Sequence, residues 1–246
     1  HNVLPMSKKL ELWSDSTPNG WKVELMLKDC GIPFTFKRVR IARGQQFSEE
    51  FLAISPNGKI PAIIDYNNGQ RISVFESGAI LVYLAQKYGK HLPNAVDHPL
   101  ENAQVLQWVF WQMSGFGAML GQAHHFRRYA PDPIPYAIDR YTREANRLYG
   151  VLDKALSKRK YVASDTLFSI ADIAIWPWAI FHGIQGVDIE EYPNVKRWFF
   201  MLVESKPHFK ERWTKFVAWD KAMKNVKVPD EAKKILFGPK SIKSKL

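Results

Sequence analysis

The sequence is nearly without cysteine. Cys30 is the only one among 246 residues, so the chain cannot form an intramolecular disulfide, which is typical of a reducing compartment. No apolar run approaches the roughly 20 residues that span a bilayer, and the N-terminus lacks the pattern of a secretory signal. We therefore expect a cytoplasmic protein with no membrane partner, and a composition that is 46% hydrophobic suffices for a packed core.

The net charge of +11 is concentrated near the C-terminus. Residues 221–246 contain eight lysines and two acidic residues, a net charge of +6. A charge run of this kind indicates a solvated basic tail, with binding to nucleic acid as a weaker alternative. We do not expect nucleic acid to be a partner.

Hydrophobic periodicity separates the chain into two halves. Strands alternate with helices up to residue 89, in the order βαβ and then αββα, which predicts a small mixed sheet of the thioredoxin-like type. The predicted strands are 9–13, 34–41, 62–64 and 71–74, and the predicted helices are 20–29, 47–54 and 77–88. From residue 100 onward only helical patterns remain, at 100–126, 136–157, 169–181 and 194–205. We predict an α/β domain at 8–89, an all-α domain at 100–220 and the basic tail at 221–246, with a linker at 91–99.

The second half contains a sharp helix-start signal. Ser169 and Asp172 have the spacing of a capping box, which predicts a helix beginning there for a structural purpose. Pro177 follows two turns later, and we expect it to end or kink the helix near Trp176.

The segment 57–77 is the most informative one. Pro61 lies where a loop becomes the apolar strand 62–64, a position typical of a cis-proline that costs no ladder hydrogen bond. The backbone of Ile60 is then free to pair with an extended, peptide-like ligand. Glu76 and Ser77 begin the next helix and can receive the polar end of that ligand. This combination indicates a glutathione site.

Several motifs together resemble the cytosolic glutathione transferases, and most closely the bacterial Nu class with its fungal Ure2p-like relatives. The similarity covers roughly residues 8–215. The motifs that carry it are Thr17-Pro18-Asn19-Gly20, Gly44-Gln45-Gln46-Phe47, the cis-proline loop, Phe75-Glu76-Ser77-Gly78-Ala79-Ile80, Gln107-Trp108-Val109-Phe110-Trp111-Gln112, His124-His125-Phe126, Ile134-Pro135-Tyr136-Ala137-Ile138 and Ser169-Ile170-Ala171-Asp172. The resemblance implies the glutathione transferase architecture, a homodimer and a glutathione site between the domains. It also implies disulfide reduction with glutathione, ahead of conjugation or peroxide reduction.

The resemblance assigns the catalytic residues. Thr17 is in register with the family motif and is expected to contact the glutathione sulfur, with the amide of Asn19 as a second donor. A hydroxyl at a helix start favours the thiolate over the thiol. The alternative is that Thr17 and Asn19 only form a turn and an N-cap.

The ligand's own groups indicate the binding residues. Glu76 is expected to take the γ-glutamyl ammonium, and Ser77 the neighbouring carboxylate. Lys59 and Gln46 are expected at the glycyl end. Arg140 resembles the cationic residue that reaches the site from the helical domain. The alternative is that Glu76 and Ser77 only begin a helix and that Lys59 is a surface charge.

No cysteine lies near Thr17, where thioredoxins and glutaredoxins place their nucleophile. We interpret Cys30 as a small buried hydrophobe, so the thiols that reduce a disulfide must belong to glutathione. Adjacent histidines at 124 and 125 point about 100° apart on a helix and are not expected to bind a metal. The second substrate is expected to be a small molecule or a disulfide. The alternative function is a non-catalytic, glutathione-binding regulatory or interaction module.

Overall fold

The structure is a computed structural model that describes residues 10–67, 70–223 and 229–238. The chain forms two compact units, one of residues 1–81 together with 228–246 and one of residues 82–227. The division between Leu81 and Val82 falls inside a helix.

The first unit contains a four-stranded mixed sheet. Strand β2 is parallel to β1, whereas β3 is antiparallel to both β1 and β4, in the order β2-β1-β3-β4. Its elements are β1 (Leu10–Ser14), α1 (Pro18–Asp29), β2 (Phe34–Arg38), two 3₁₀ turns (Ile41–Arg43 and Gln45–Phe47), α2 (Glu49–Leu52), β3 (Ala62–Asn67), β4 (Gln70–Phe75) and the start of α3 (Ser77–Tyr88). The predicted mixed sheet is confirmed.

The register brings three chain segments to one edge of this sheet. Trp13 near the end of β1 pairs with Ala62 at the start of β3, and Ala62 pairs with Phe75 at the end of β4. Because β3 runs against its neighbours, its beginning lies beside their ends. The β1–α1 turn, the loop before β3 and the start of α3 therefore meet at this edge.

Apolar side chains cover the sheet on both faces. Leu10 and Leu12 alternate with half-buried residues along β1, as expected for a strand whose alternate residues point into a core. A second cluster of buried residues packs around α2 and consists of Val39, Phe51, Ile54, Ala62 and Ile64.

The second unit contains helices and connecting loops, with no strand among its described residues. Its elements are the end of α3, α4 (Pro99–Trp111), a π-helical turn (Gln112–Phe116), α5 (Gly117–Arg128), α6 (Pro135–Leu156), α7 (Ile170–Ala179), a 3₁₀ turn (Ile189–Glu191), α8 (Pro193–Ser205) and α9 (Pro207–Met223). Its core is rich in fully buried aromatic side chains, including Phe116, Tyr149, Trp176, Trp198, Phe199 and Phe209.

The predicted capping box is confirmed at the start of α7. Ser169 Oγ accepts a hydrogen bond from the Ala171 N–H at 3.3 Å, and Asp172 Oδ2 accepts one from the Ser169 N–H at 3.0 Å. The helix nevertheless continues past Pro177 and ends at Ala179, three residues beyond Trp176, near which the proline was expected to end or kink it.

The C-terminal region contains more helix than its composition predicts. Helix α9 extends to Met223, and α10 spans Asp230–Phe237 within the segment expected to be a solvated tail. Ala232, Ile235 and Leu236 lie on one half-buried face of α10, which contacts the 3₁₀ turn Ile41–Arg43 of the first unit. This short apolar face explains why α10 is held against the protein. Residues 224–228 and 239–246 of the predicted tail lie outside the described residues.

None of the described helices has both the length and the apolarity needed to cross a bilayer.

Candidate active site

The turn between β1 and α1 presents Thr17 at a helix N-terminus. Thr17 is the N-cap of α1, and its Oγ1 accepts a hydrogen bond from the Gly20 N–H at 3.3 Å. Thr17 thus caps the helix, which the sequence analysis gave as the alternative to a contact with the glutathione sulfur. The two roles are compatible, because a hydroxyl that accepts from the backbone still has its own hydrogen to donate.

Gly20 lets the start of α1 lie directly on β1. A Cβ at this position would overlap Ser14 Oγ and would lie 2.6 Å from the Asp15 carbonyl oxygen. Only glycine therefore permits this close approach, which sets the position of Thr17 and Asn19 relative to the sheet edge.

Asp15 ties this turn to the loop that follows β2. Its carboxylate accepts hydrogen bonds from the Ser16 N–H at 2.9 Å and from the Ile41 N–H at 3.3 Å, and it pairs with Arg38 at 3.3 Å. That loop leads to Gln46. Asp15 was not predicted as a site residue, although an Asp two residues before a helix cap is typical of such local backbone hydrogen bonds.

The loop before β3 brings Gln46 close to the cis-proline segment. The Ile60–Pro61 peptide bond is cis, as predicted. Gly58 has a φ of 62°, and a Cβ there would lie 3.3 Å from the Phe47 ring and 3.4 Å from the Gln46 carbonyl oxygen. Gln46 is 5% exposed, and its buried Oε1 has no hydrogen-bond partner among the described residues.

Lys59 follows a tight turn next to Gly58. Ser55 Oγ donates a hydrogen bond to the Lys59 carbonyl oxygen at 2.7 Å, and the Gly58 N–H donates to the Ser55 carbonyl oxygen at 2.8 Å. The Lys59 side chain is exposed, so its ammonium is accessible to an anionic ligand.

Glu76 and Ser77 occupy the junction between β4 and α3. Glu76 has a φ of 69°, in the left-handed region that residues other than glycine rarely adopt, and its side chain is exposed. Ser77 is buried at 5% exposure. The backbone therefore turns an acidic side chain outward directly beside a buried hydroxyl.

Lys22 contacts Ser77 from within the core. Its side chain is 1% exposed, and Nζ donates a hydrogen bond to Ser77 Oγ at 3.3 Å. Burial lowers the pKa of Lys22 to about 7, and the Glu76 carboxylate acts in the opposite direction.

Lys22 was not among the site residues predicted from the sequence. Its helical spacing could have indicated its burial. Lys22 is three residues before Leu25 and four before Met26, so it lies on the same buried face of α1. A lysine on such a face must find a partner or lose its charge.

The structure thus brings together most of the predicted residues. Thr17 and Asn19 follow the end of β1, Glu76 and Ser77 follow the end of β4, and Ile60 precedes the start of β3, which lies between them. Gln46 and Lys59 lie in the adjoining loops. Their contacts with glutathione remain a prediction.

Arg140 lies in the helical unit, on α6. Its exposed side chain lines a cavity of about 420 Å³, together with Met119, Tyr141, Arg143, Glu144 and Arg147. Arg143 pairs with Asp139 at 2.6 Å and Arg147 with Glu144 at 2.7 Å. The expected reach of Arg140 to the glutathione site stays a prediction.

Of the other titratable groups singled out from the sequence, Cys30 and His124 are buried, whereas His125 is half-buried. Cys30 is 8% exposed at the end of α1, which confirms its interpretation as a buried hydrophobe. His124 is also buried, and burial together with the charges of Arg128 and His125 lowers its pKa to about 4. The described parts of the chain contain no group of three or more His, Cys, Asp or Glu side chains that could hold a metal ion.

Comparison with known proteins defines the family. The glutathione S-transferase N-terminal domain matches residues 17–87, and the glutathione S-transferase C-terminal domain matches residues 132–206. The chain belongs to the glutathione S-transferase family, as the sequence motifs indicated.

Two relatives from Escherichia coli K12 carry functional names. The disulfide-bond oxidoreductase YfcG is 47% identical over 192 residues, which cover 77% of this chain and 87% of the relative. The disulfide-bond oxidoreductase YghU is 41% identical over 210 residues, which cover 80% of this chain and 72% of the relative.

A solved structure supports the same fold. A glutathione transferase from Pseudomonas putida, crystallised with one glutathione disulfide per subunit, is 36% identical and has a TM-score of 0.77. The match covers 86% of this chain and 93% of that protein.

Proposed function

We propose that this protein is a glutathione-dependent disulfide reductase whose working thiols belong to glutathione. The observation that carries the proposal is the meeting of the Thr17 turn, the cis-proline loop and the Glu76–Ser77 junction at one sheet edge, in a chain whose single cysteine lies elsewhere. The names of YfcG and YghU support the choice of disulfides as substrate.

The proposed binding mode pairs each group of glutathione with a complementary one. The backbone of Ile60 pairs with the extended peptide, Glu76 accepts from the γ-glutamyl ammonium, and Ser77 donates to the neighbouring carboxylate. Lys59 and Gln46 hold the glycyl carboxylate, and Arg140 adds positive charge from the helical unit.

Thr17 activates the bound thiol. Its hydroxyl accepts from the Gly20 N–H and donates its hydrogen to the glutathione sulfur, while Asn19 supplies a second donor. One hydrogen bond to a charged acceptor and the positive end of α1 together favour the thiolate by about 2 kcal/mol, which lowers the thiol pKa by about 1.5 units.

The reaction consists of two thiol–disulfide exchanges. The thiolate of the first glutathione attacks the substrate disulfide, forms a mixed disulfide and releases one substrate thiol. The thiolate of a second glutathione then attacks the glutathione sulfur of the mixed disulfide, which releases the other substrate thiol and glutathione disulfide. Two glutathione thiols are oxidised for each disulfide reduced, and the chain itself gains or loses no electron. The homodimer stays a prediction of the family resemblance, and the cytoplasmic location stays a prediction of the composition.

Variants at Thr17 test this role. Thr17→Asp keeps a side chain that caps α1 but removes the donor and places a negative charge at the sulfur, whereas Thr17→Ser keeps both cap and donor. We expect Thr17→Asp to lower kcat/KM for reduction of 2-hydroxyethyl disulfide by about 100-fold or more, and Thr17→Ser to lower it by less than about fivefold. A coupled assay with glutathione reductase measures both.

Two results would contradict the proposal. If Thr17→Asp turned over disulfides like the wild type, Thr17 would have no role at the sulfur. If the wild type bound glutathione but neither reduced disulfides nor conjugated 1-chloro-2,4-dinitrobenzene, the protein would instead be a glutathione-binding regulatory module.

A further inference from the structure

Lys22 is a fully buried cation with a specific partner in the candidate site. Its side chain is 1% exposed, and its Nζ lies 3.3 Å from Ser77 Oγ. Lysine is almost never fully buried without a compensating interaction, because the ammonium loses its hydration. An apolar residue would be buried here at a lower cost in free energy. The presence of a lysine therefore indicates a chemical role for its ammonium group.

The direction of this hydrogen bond constrains the Ser77 hydroxyl. An ammonium has hydrogens to give and no lone pair to accept with, so Ser77 Oγ is the acceptor. The hydroxyl hydrogen therefore lies on another side of the oxygen. Ser77 is also the first residue of α3, where the helix end favours negative charge.

We propose that Lys22 is a positioning residue for the γ-glutamyl carboxylate of glutathione, acting through Ser77. The ammonium holds the Ser77 oxygen as an acceptor, which turns the hydroxyl hydrogen toward the ligand carboxylate and places a buried positive charge behind it. This role rests on the proposed glutathione site. It adds a third group to the Glu76–Ser77 subsite, one that does not touch the ligand.

The affinity for glutathione should depend on pH. Burial lowers the pKa of Lys22 to about 7, the nearby Glu76 carboxylate raises it in part, and a carboxylate bound at Ser77 raises it further. The complex then binds a proton that the free protein lacks above pH 7. Affinity is therefore highest below pH 7 and falls as the pH rises toward the pKa of Lys22 in the complex.

The test is calorimetric titration with S-methylglutathione at pH 6 and pH 8. This probe has no free thiol, so its sulfur cannot titrate. We expect the wild type to bind several-fold more tightly at pH 6 than at pH 8, with proton uptake at pH 8. Lys22→Met should bind about tenfold more weakly than the wild type at pH 6 and lose this dependence.

Lys28→Met is the matched control. Lys28 lies on the same helix, is partly exposed and pairs with Glu24 at 2.9 Å, so its loss should leave affinity and pH dependence unchanged. Thermal unfolding checks that Lys22→Met is folded, and removal of a buried charge should not lower its stability.

Three outcomes separate the alternatives. Lys22→Met with the affinity and pH dependence of the wild type would overturn the role of Lys22. The double variant Lys22→Met/Ser77→Ala tests the coupling of the two residues. If its loss of binding free energy equalled the sum of the losses in the two single variants, Lys22 would not act through Ser77, because the effects of coupled residues do not add. No binding by the wild type at either pH would instead contradict the glutathione site itself.

Discussion

At the scale of single residues, the sheet edge depends on a position that admits no side chain. A Cβ at Gly20 would overlap Ser14 Oγ and would lie 2.6 Å from the Asp15 carbonyl oxygen, which is backbone and cannot easily move. We expect Gly20→Ala to destabilise the protein by about 2 kcal/mol or more and to weaken S-methylglutathione binding, because it displaces the start of α1. Urea denaturation and calorimetry measure the two effects.

Gly183 provides the comparison for this prediction. A Cβ at Gly183 meets nothing within 4 Å, so Gly183→Ala should leave the protein equally stable or up to about 1 kcal/mol more stable. If Gly20→Ala were as stable as Gly183→Ala and bound the probe normally, the close approach of α1 to β1 would not matter for the site.

The residues of the site differ in how far the sequence predicted them. Ile60 and Ser77 follow from local patterns, a proline before an apolar run and an acidic residue at a helix start. Lys22 and Asp15 act through contacts with residues far along the chain, Ser77 and Ile41. No motif marks such partners, because the pairing depends on how the sheet folds.

At the scale of elements, the capping box of α7 is a buried polar network. Asp172 is fully buried, and its carboxylate accepts hydrogen bonds from the Val162 N–H at 2.9 Å, the Ser169 N–H at 3.0 Å and Trp198 Nε1 at 2.9 Å. Burial raises the pKa of Asp172, and these hydrogen bonds act in the opposite direction. The network joins three separate segments of the helical unit.

Removing this carboxylate leaves several buried donors without an acceptor. We expect Asp172→Ala to lower the free energy of unfolding by about 3 kcal/mol or more, since each unsatisfied donor costs about 1 to 3 kcal/mol. Asp165→Ala is the control, because Asp165 is exposed and accepts a hydrogen bond from the Lys160 N–H at 3.0 Å. Its loss should cost about 1 kcal/mol or less. Equal losses in urea denaturation would contradict the burial argument.

Element prediction succeeded where a local signal was strong. The bounds of α3 agree with the sequence prediction at both ends, because Ser77 and Gly89 mark its start and stop. Helix α10 was not predicted, because a sequence of eight residues with four charged side chains resembles a charged tail. Its half-buried face becomes evident only where the 3₁₀ turn Ile41–Arg43 provides a surface for it. Its stability comes from tertiary packing, which a local pattern does not reveal.

At the scale of the whole molecule, the source of the thiols for disulfide reduction follows from the number and position of the cysteines in the chain. Cys30 is the one cysteine of the chain, and it lies at the C-cap of α1, whereas Thr17 lies at the N-cap of the same 12-residue helix. At 1.5 Å per residue, the two ends are about 18 Å apart. Cys30 is therefore too distant to attack a disulfide held at Thr17, and its burial also shields it from solvent.

The activity should accordingly survive the loss of every protein thiol. We expect Cys30→Ala to retain kcat and KM for glutathione-dependent reduction of 2-hydroxyethyl disulfide within about twofold. The wild-type protein should also retain both constants after treatment with iodoacetamide and removal of the reagent. An enzyme that used its own thiolate would fall to the uncatalysed rate in both experiments. A folded Cys30→Ala protein without activity would thus contradict a mechanism in which glutathione supplies both thiols, while leaving glutathione binding at the sheet edge intact.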